Sequence, residues 1–275
     1  MSGDARLAPE PLLEIGDRGD LPFLVEHWYF GSQTRRYIIL RRIREVLKRS
    51  GIRPGSRALE LGCGWAYGSL WARRSGANPV GIDLGLDQLR WARRRLPEGA
   101  TLDLAGANAK ALPFRDGAFD AVFSVEMLEH VFRPDRPAVM AEIARVLKPG
   151  GTVALSTPNA ASPIEVVKRL AVRWPALRRR LPEACFPEAA DDAAAYHPYH
   201  YHHPVAVSEL REGLAGAGLE VLGARRFLWA LKTGPDALLG VARSLEAAAE
   251  TIPLVNRLGA TTLVWARRPS NGPRL

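Results

Sequence analysis

The sequence predicts an α/β protein built on a doubly wound, largely parallel sheet, and three observations predict it. Short apolar runs alternate with segments of helical period from residue 57 to residue 157. The first run ends in a glycine-rich turn, ALELGCGWAYG at 58–68, that leads into a helix. The chain of 275 residues, 47% apolar and 24% charged, is long enough to bury a sizeable core.

The elements follow in order. Residues 1–22 are rich in Pro, Gly and Asp and read as loose. His27-Trp28-Tyr29-Phe30 reads as a hydrophobic staple for the helix that follows, or as a flap over a substrate pocket. Gln33–Arg49 carries apolar residues at helical spacing on an arginine-rich background, a helix. Arg57–Leu61 is a short apolar strand, Tyr67–Ser75 a helix, Pro79–Asp83 a strand, Leu86–Leu96 a helix and Ala100–Leu104 a weak strand. Phe119–Ser124 is a strand, Ala138–Leu147 a helix stopped by Pro149-Gly150-Gly151, and Thr152–Thr157 a strand. Residues 158–206 break the rhythm with prolines, arginines and a histidine tract. Helix Ser208–Ala217, with Ser208 or a neighbour as N-cap, and strand Leu219–Arg226 resume it. Residues 227–258 read as helical, and Thr261–Arg267 as the seventh strand. The organisation is therefore 1–50 for an N-terminal segment and helix, 51–267 for the main domain, and 268–275 for a tail. The main domain carries a lid insertion at about 158–206 and a helical insertion at about 227–258.

Net charge is +9, nearly all of the excess arginine, as in KRLAVRWPALRRR at 168–180. That balance admits nucleic acid, anionic lipid or acidic substrates, with plain solubility as the ordinary explanation. Residues 163–186, with Trp174, could lie on an anionic membrane as a peripheral contact, or form a solvated basic lid. Two cysteines, Cys63 and Cys185, make no disulfide framework and fit a reducing cytoplasm. The first twenty residues lack an apolar signal core, and no run of 18 apolar residues exists.

Glu60, Gly62, Cys63 and Gly64 frame the first turn, and PVGID ends in Asp83. Glycines at 62 and 64 permit positive φ and close approach of a ligand to the backbone. Further on come ANAKALPF (107–114), DGAFDAVFS (116–124), RVLKPGG (145–151) and LSTPN (155–159). In this order the five motifs resemble the class I S-adenosylmethionine-dependent methyltransferases, over about residues 27–226 plus the last strand. The resemblance implies a Rossmann-like sheet of seven strands, the last antiparallel, and S-adenosyl-L-methionine as cofactor. It implies that Glu60, Gly62, Cys63 and Gly64 line the methionine end, with Cys63 a small buried filler rather than a nucleophile. Asp83 holds the ribose, Leu84 packs on the adenine, Asn108 and Ala109 face the adenine edge, and the Ser124 carbonyl takes the ammonium. The sequence departs from the family where Ala66 replaces the third glycine, with Gly68 two residues on.

SVEMLEHV at 124–131 places Glu126, Glu129 and His130 at i, i+3 and i+4, one face if the segment is helical. E-x-x-E-H at this place resembles two metal-using branches, the ubiquinone-pathway O-methyltransferases and the small-RNA 3′-terminal 2′-O-methyltransferases. The resemblance implies a divalent cation, Mg, Mn, Zn or Ni, held by Glu126, Glu129, His130 and a histidine of AYHPYHYHHPVAVSEL. His200 matches best, His202 and His203 are fallbacks and His197 comes last. Catalytic duty falls on Glu126, His130 and His200. Alternatively, the two glutamates solvate a helix start, His130 is a satisfied structural partner, and the later histidines form a lid or a metal-free base.

The function expected is methylation of a small-molecule hydroxyl: a phenol, catechol, sugar or lipid-linked acceptor, or a natural product. RNA 3′-terminal 2′-O-methylation is the alternative, disfavoured because aromatic residues are not interleaved with the arginines. Metal-independent N- or C-methylation, a cofactor-binding module without chemistry, and a nicotinamide dehydrogenase stand behind it.

Overall fold

The computed structural model describes residues 32–96, 101–174, 202–228 and 236–270. Helix α1 spans Gln33–Arg49, and the Ser32 side chain caps it by accepting from the Arg35 amide at 3.1 Å. Lys48 and Arg49 complement its C-terminal dipole. Strand β1 (Arg57–Leu61), α2 (Tyr67–Arg74), β2 (Asn78–Asp83), α3 (Leu86–Arg94) and β3 (Asp103–Gly106) follow. Next come β4 (Phe119–Val125), α4 (Arg136–Val146), β5 (Leu147–Pro158) and α5 (Pro163–Arg173). The chain closes with α6 (Val207–Gly216), β6 (Glu220–Phe227), α7 (Leu239–Thr251), α8 (Pro253–Asn256) and β7 (Thr261–Arg267).

The seven strands form one sheet in the order β3-β2-β1-β4-β5-β7-β6. β7 is antiparallel to both neighbours, and the other pairings are parallel. This is the Rossmann-like topology expected of the sequence. The strand order reverses between β1 and β4, so their outgoing loops border the crevice where open α/β sheets bind ligands.

Successive strand residues face opposite sides, and each side has its own core. Leu59, Leu61, Val122 and Val153 meet Val139 and Ile143 of α4 and Leu210 and Leu214 of α6. Ala58, Ala121, Phe123 and Leu263 meet Ile38, Val46 and Leu47 of α1 and Trp71 of α2. Each fully buried Leu, Ile or Phe stabilises the fold by roughly 1.5–3 kcal/mol relative to exposure.

Several boundaries differ from the sequence expectation. β3 lies at 103–106, not 100–104, and Ala100 is outside the described residues. α4 starts at Arg136, with Pro137 in its first turn where the missing N–H costs nothing. Lys148-Pro149-Gly150-Gly151 is a bulged start of β5 rather than a turn, because Gly150 and Gly151 pair with Arg268 while the register to β4 shifts. Residues 163–173 of the lid insertion are helical. The N-cap of α6 is Ala206, without a side-chain bond, and Ser208 sits inside the first turn. The histidines at 197 and 200, Cys185, and the staple at 27–30 lie outside the described residues.

Candidate active site

The turn after β1 is a backbone cradle. Gly62, Gly64 and Ala66 all have positive φ, at 67°, 48° and 61°. A Cβ on Gly62 would collide with the Met127 side chain, so only glycine fits there. The Cys63 amide donates to the Ile82 carbonyl at 2.9 Å, and the Gly64 amide to Asp83 Oδ2 at 2.8 Å. The second Asp83 oxygen accepts from the Gly85 amide at 2.8 Å. Asp83 is thus fixed at the end of β2 with both oxygens aimed along the loops, each keeping a lone pair.

Glu60 lies beneath this cradle rather than on its surface. It is 3% exposed, and its Oε2 accepts from the Ser69 amide at 2.6 Å and the Ser69 hydroxyl at 2.5 Å. Burial pushes its carboxyl up to about 8, against the lowering effect of the two Ser69 donors, with the Asp83 charge adding to the rise. A Cβ on Gly68 would collide with Glu60 Oε1. This accounts for the glycine at 68: it makes room for the buried carboxyl, while Ala66 tolerates the left-handed N-cap position. Cys63 is buried, and burial pushes its thiol well up, with Glu60 and Asp83 adding to it, so it is no thiolate nucleophile. Its sulfur fills the space left open by Gly81.

Leu84 and Leu86 form an apolar rim beyond β2, 52% and 51% exposed. Asn108, exposed on the loop after β3, accepts from the Lys110 amide through Oδ1 at 3.0 Å, and Ala109 beside it is half-buried. Ser124 is buried, and its hydroxyl donates to the Leu61 carbonyl at 2.9 Å, tying the end of β4 to the end of β1.

The segment after β4 is not an α-helix, so the shared-face geometry expected of Glu126, Glu129 and His130 does not arise. Glu126 takes a left-handed conformation, φ 54°, and Leu128–His130 is a single 3₁₀ turn. The Glu126 amide donates to the Ser156 carbonyl at 3.1 Å, and Ser156 Oγ donates back to Glu126 Oε1 at 3.1 Å. Its other oxygen pairs with Arg42 Nη2 of α1 at 3.2 Å. Glu129 turns inward, 1% exposed, and accepts from the Thr157 hydroxyl at 3.2 Å. Burial holds its carboxyl well above the usual range. The Glu126 charge adds to this, while Arg42 and Thr157 oppose it.

Ligand atoms of Glu129, His130 and His202 lie within 4.8 Å of one another. The rings of His130 and His202 stand edge to face, centroids 5.4 Å apart. Glu126 is not in this group, and His200 is outside the described residues. His203 contributes its backbone: its amide donates to the Glu129 carbonyl at 2.8 Å, and its carbonyl accepts from Arg136 at 2.7 Å. Arg42 is the residue that sequence reasoning missed. It is 5% exposed, and its Nε donates to Thr261 Oγ1 at 2.9 Å. The signal was its place four residues after Ile38 and four before Val46, on the buried stripe of α1.

Residues 59–155 match the family described as a methyltransferase domain. A methyltransferase of Streptomyces halstedii, GfsG, is 36% identical over 118 residues, 41% of each chain. The ubiquinone biosynthesis O-methyltransferase of Hahella chejuensis is 42% identical over 108 residues, 38% of this chain and 44% of its own. The chain thus spans at most about half the length of the curated relatives it matches. The crystal structure of an S-adenosylmethionine dependent methyltransferase from Mesorhizobium loti shares the fold, with a TM-score of 0.54 at 20% identity, covering 82% of this chain and 95% of that one.

Proposed function

We propose that this chain, whose residues 59–155 match a methyltransferase domain, is a class I S-adenosylmethionine-dependent methyltransferase that methylates an oxygen of a small-molecule acceptor bound beside Glu126, Glu129 and His130. One observation carries the reading. β1 and β4 are paired with Leu61 beside Ser124, so the glycine cradle and the Glu126–His130 segment leave the sheet side by side.

The residues present fit the cofactor. Gly62 and Gly64 keep side chains out of the cradle, Asp83 retains acceptor capacity for two ribose hydroxyls, and the exposed Leu84 offers an apolar face to a purine. When bound, S-adenosylmethionine supplies an electrophilic sulfonium methyl. The protein's part is then positioning and proton transfer. Arg42 and Ser156 fix Glu126 at the mouth of the crevice, and Glu129 with His130 forms the acid–base pair. The proton of the acceptor hydroxyl passes to the His130 imidazole as the oxygen attacks, while Glu129, whose burial favours its protonated form, serves as the neutral hydrogen-bonding member of the pair.

A divalent cation is a second reading, favoured by the close approach of Glu129, His130 and His202. One carboxylate and two imidazoles suit a borderline ion such as Zn, Ni or Mn. Held there, it would lower the pKa of an acceptor hydroxyl.

The test is calorimetry on metal-stripped protein. S-adenosylhomocysteine is expected to bind saturably, and Asp83→Ala to weaken it at least about tenfold, one to two lost hydrogen bonds to a charged group. Zn²⁺, Mn²⁺ and Ni²⁺ titrations then decide the second reading: binding lost in His202→Ala but kept in His203→Ala supports the ion, and no binding in wild type rejects it. Failure of S-adenosylhomocysteine to bind would overturn the function as a whole.

A further inference from the structure

A pocket of about 530 Å³ opens beyond the end of β5, with Asn159, Ala160, Arg169, Arg211 and Arg226 in its walls and Ser208 at its rim. It is built from three arginines brought from three elements, α5, α6 and β6. Several arginines elsewhere in the fold are matched with carboxylates, and others with carbonyls. Arg41 meets Glu246 and Glu250, Arg136 meets Glu209, Arg145 meets Asp116 and Glu142, and Arg225 meets Glu45 and Glu250. Among the described residues, none of Arg169, Arg211 and Arg226 has such a partner. Arg169 donates only to the Ala160 carbonyl, at 2.9 Å. The Nε of Arg226 is buried without a hydrogen-bond acceptor. Burial lowers the Arg226 guanidinium pKa, and the nearby Arg257 charge adds to the lowering. Arg226 is partly buried with an unpaired Nε, and the exposed Arg169 and Arg211 carry no counter-charge beside it, so an anion in the concavity would meet three uncompensated guanidinium groups.

The first turn of α6 adds to the same field. Ala206, Val207 and Ser208 line the pocket, and the N-cap Ala206 supplies no side-chain acceptor for the first amides. The floor is rigid: Asn159 Nδ2 donates to the carbonyls of Arg257 and Gly259 at 3.0 and 2.7 Å, and its Oδ1 accepts from the Ala161 amide at 3.1 Å.

The pocket also adjoins the acid cluster. Thr157, which donates to Glu129, is two residues before Asn159. Asn159 bridges to Val205, and His203, two residues before Val205, holds the Glu129 carbonyl. Two short chain segments thus run from the partners of Glu129 to the pocket wall at Asn159.

We propose that this pocket binds a phosphate or pyrophosphate group carried by the methyl acceptor, while the acceptor's hydroxyl lies at Glu129 and His130. The inference rests on the methyltransferase reading and narrows its acceptor to a phosphorylated one. Guanidinium forks match tetrahedral oxyanions, and a dianion satisfies more than one of the three at once.

The experiment is calorimetric titration of the full chain with inorganic phosphate, inorganic pyrophosphate and a short polyprenyl pyrophosphate, with S-adenosylhomocysteine present. Saturable pyrophosphate binding is expected, at least about tenfold weaker in Arg226→Gln and in Arg211→Gln, the loss of one charged hydrogen bond or more. Arg211 is exposed on α6, so its variant keeps the fold if that of Arg226 does not. Arg267→Gln removes an arginine paired with Glu220 on the far end of the sheet and is expected to change nothing. A tighter polyprenyl pyrophosphate would assign a lipid-linked acceptor, and equal affinities a soluble phosphoester. No saturable binding in wild type, or an equal loss in Arg267→Gln, overturns the proposal. If S-adenosylhomocysteine binds in that case, the methyltransferase reading stands without it. If pyrophosphate binds and S-adenosylhomocysteine does not, the pocket stands and the methyltransferase reading falls.

Discussion

Glu126 is held in a conformation that disfavours any side chain, and two contacts hold it there: Ser156 on one oxygen and Arg42 on the other. Arg42→Met would strand that carboxylate in a half-buried site. The expected cost is about 3 kcal/mol, because breaking a buried pair costs more than the pair contributes. Urea unfolding checks it, and Arg42→Met with Glu126→Gln should recover most of the loss. At the cradle, Gly68→Ala would drive a methyl group into the Glu60 carboxyl. We expect S-adenosylhomocysteine affinity to fall at least about tenfold, since the turn must shift to relieve the clash. Unchanged affinity in that variant would show that the Glu60 carboxyl does not need the space at Gly68. At this scale the sequence was legible where a motif fixes a backbone shape, as at Gly62, Gly64 and Asp83. It misled where spacing alone was used. E-x-x-E-H fits a helical face, yet β4 runs on to Val125 and the chain turns sharply at Glu126. Nothing in the five letters distinguishes a 3₁₀ turn from the first turn of an α-helix.

Among the elements, α1 was easy to find and hard to interpret. Its period marks a buried stripe, but Arg41, Arg42 and Glu45 look like the solvated residues around them. Structure shows them clamped. Arg41 pairs with Glu246 and Glu250 of α7, Glu45 accepts from Arg225 at 2.9 Å, and the Gln33 and Thr34 amides donate to Asp236 at 2.9 and 3.0 Å. These partners lie some two hundred residues away, beyond the reach of any local pattern. Glu250 is the centre of the clamp, accepting from Arg41, Arg225 and the Leu228 amide. Glu250→Gln is expected to destabilise by about 2 kcal/mol, between the exposed-pair and buried-pair limits. Because α1 carries Arg42, the same substitution should also lower methyl-transfer turnover more than it raises the acceptor KM. A steady-state comparison on the acceptor found by screening checks this.

For the whole molecule, the two raised carboxyls set a pH dependence. A group whose folded pKa is raised gives stability that is fully present below its unfolded value and lost as pH rises through the folded one. For Glu60 that window runs from 4.5 to about 8, and Glu129 acts in the same direction. Stability should therefore fall with rising pH across this range, with Glu60 contributing up to about 1.4 kcal/mol per pH unit. Glu60→Gln should flatten the slope. Urea midpoints at three pH values decide it, and a slope unchanged in that variant would show that Glu60 is not its source. Fold class and strand count were legible because alternation is a property of the whole chain. The pocket of arginines was not, since Arg169, Arg211 and Arg226 meet only through sheet order and crossover. Among the described residues no helix is long and apolar enough to cross a membrane.

The bond from Arg42 to Thr261 spans 219 positions along the chain. A ribosome adding roughly 5–20 residues per second takes on the order of 10–40 s to cover that interval. Throughout that time Arg42 lacks the Thr261 partner that holds its Nε. Arg42 therefore gains the anchor that steadies it beside Glu126 only after β7 has been made.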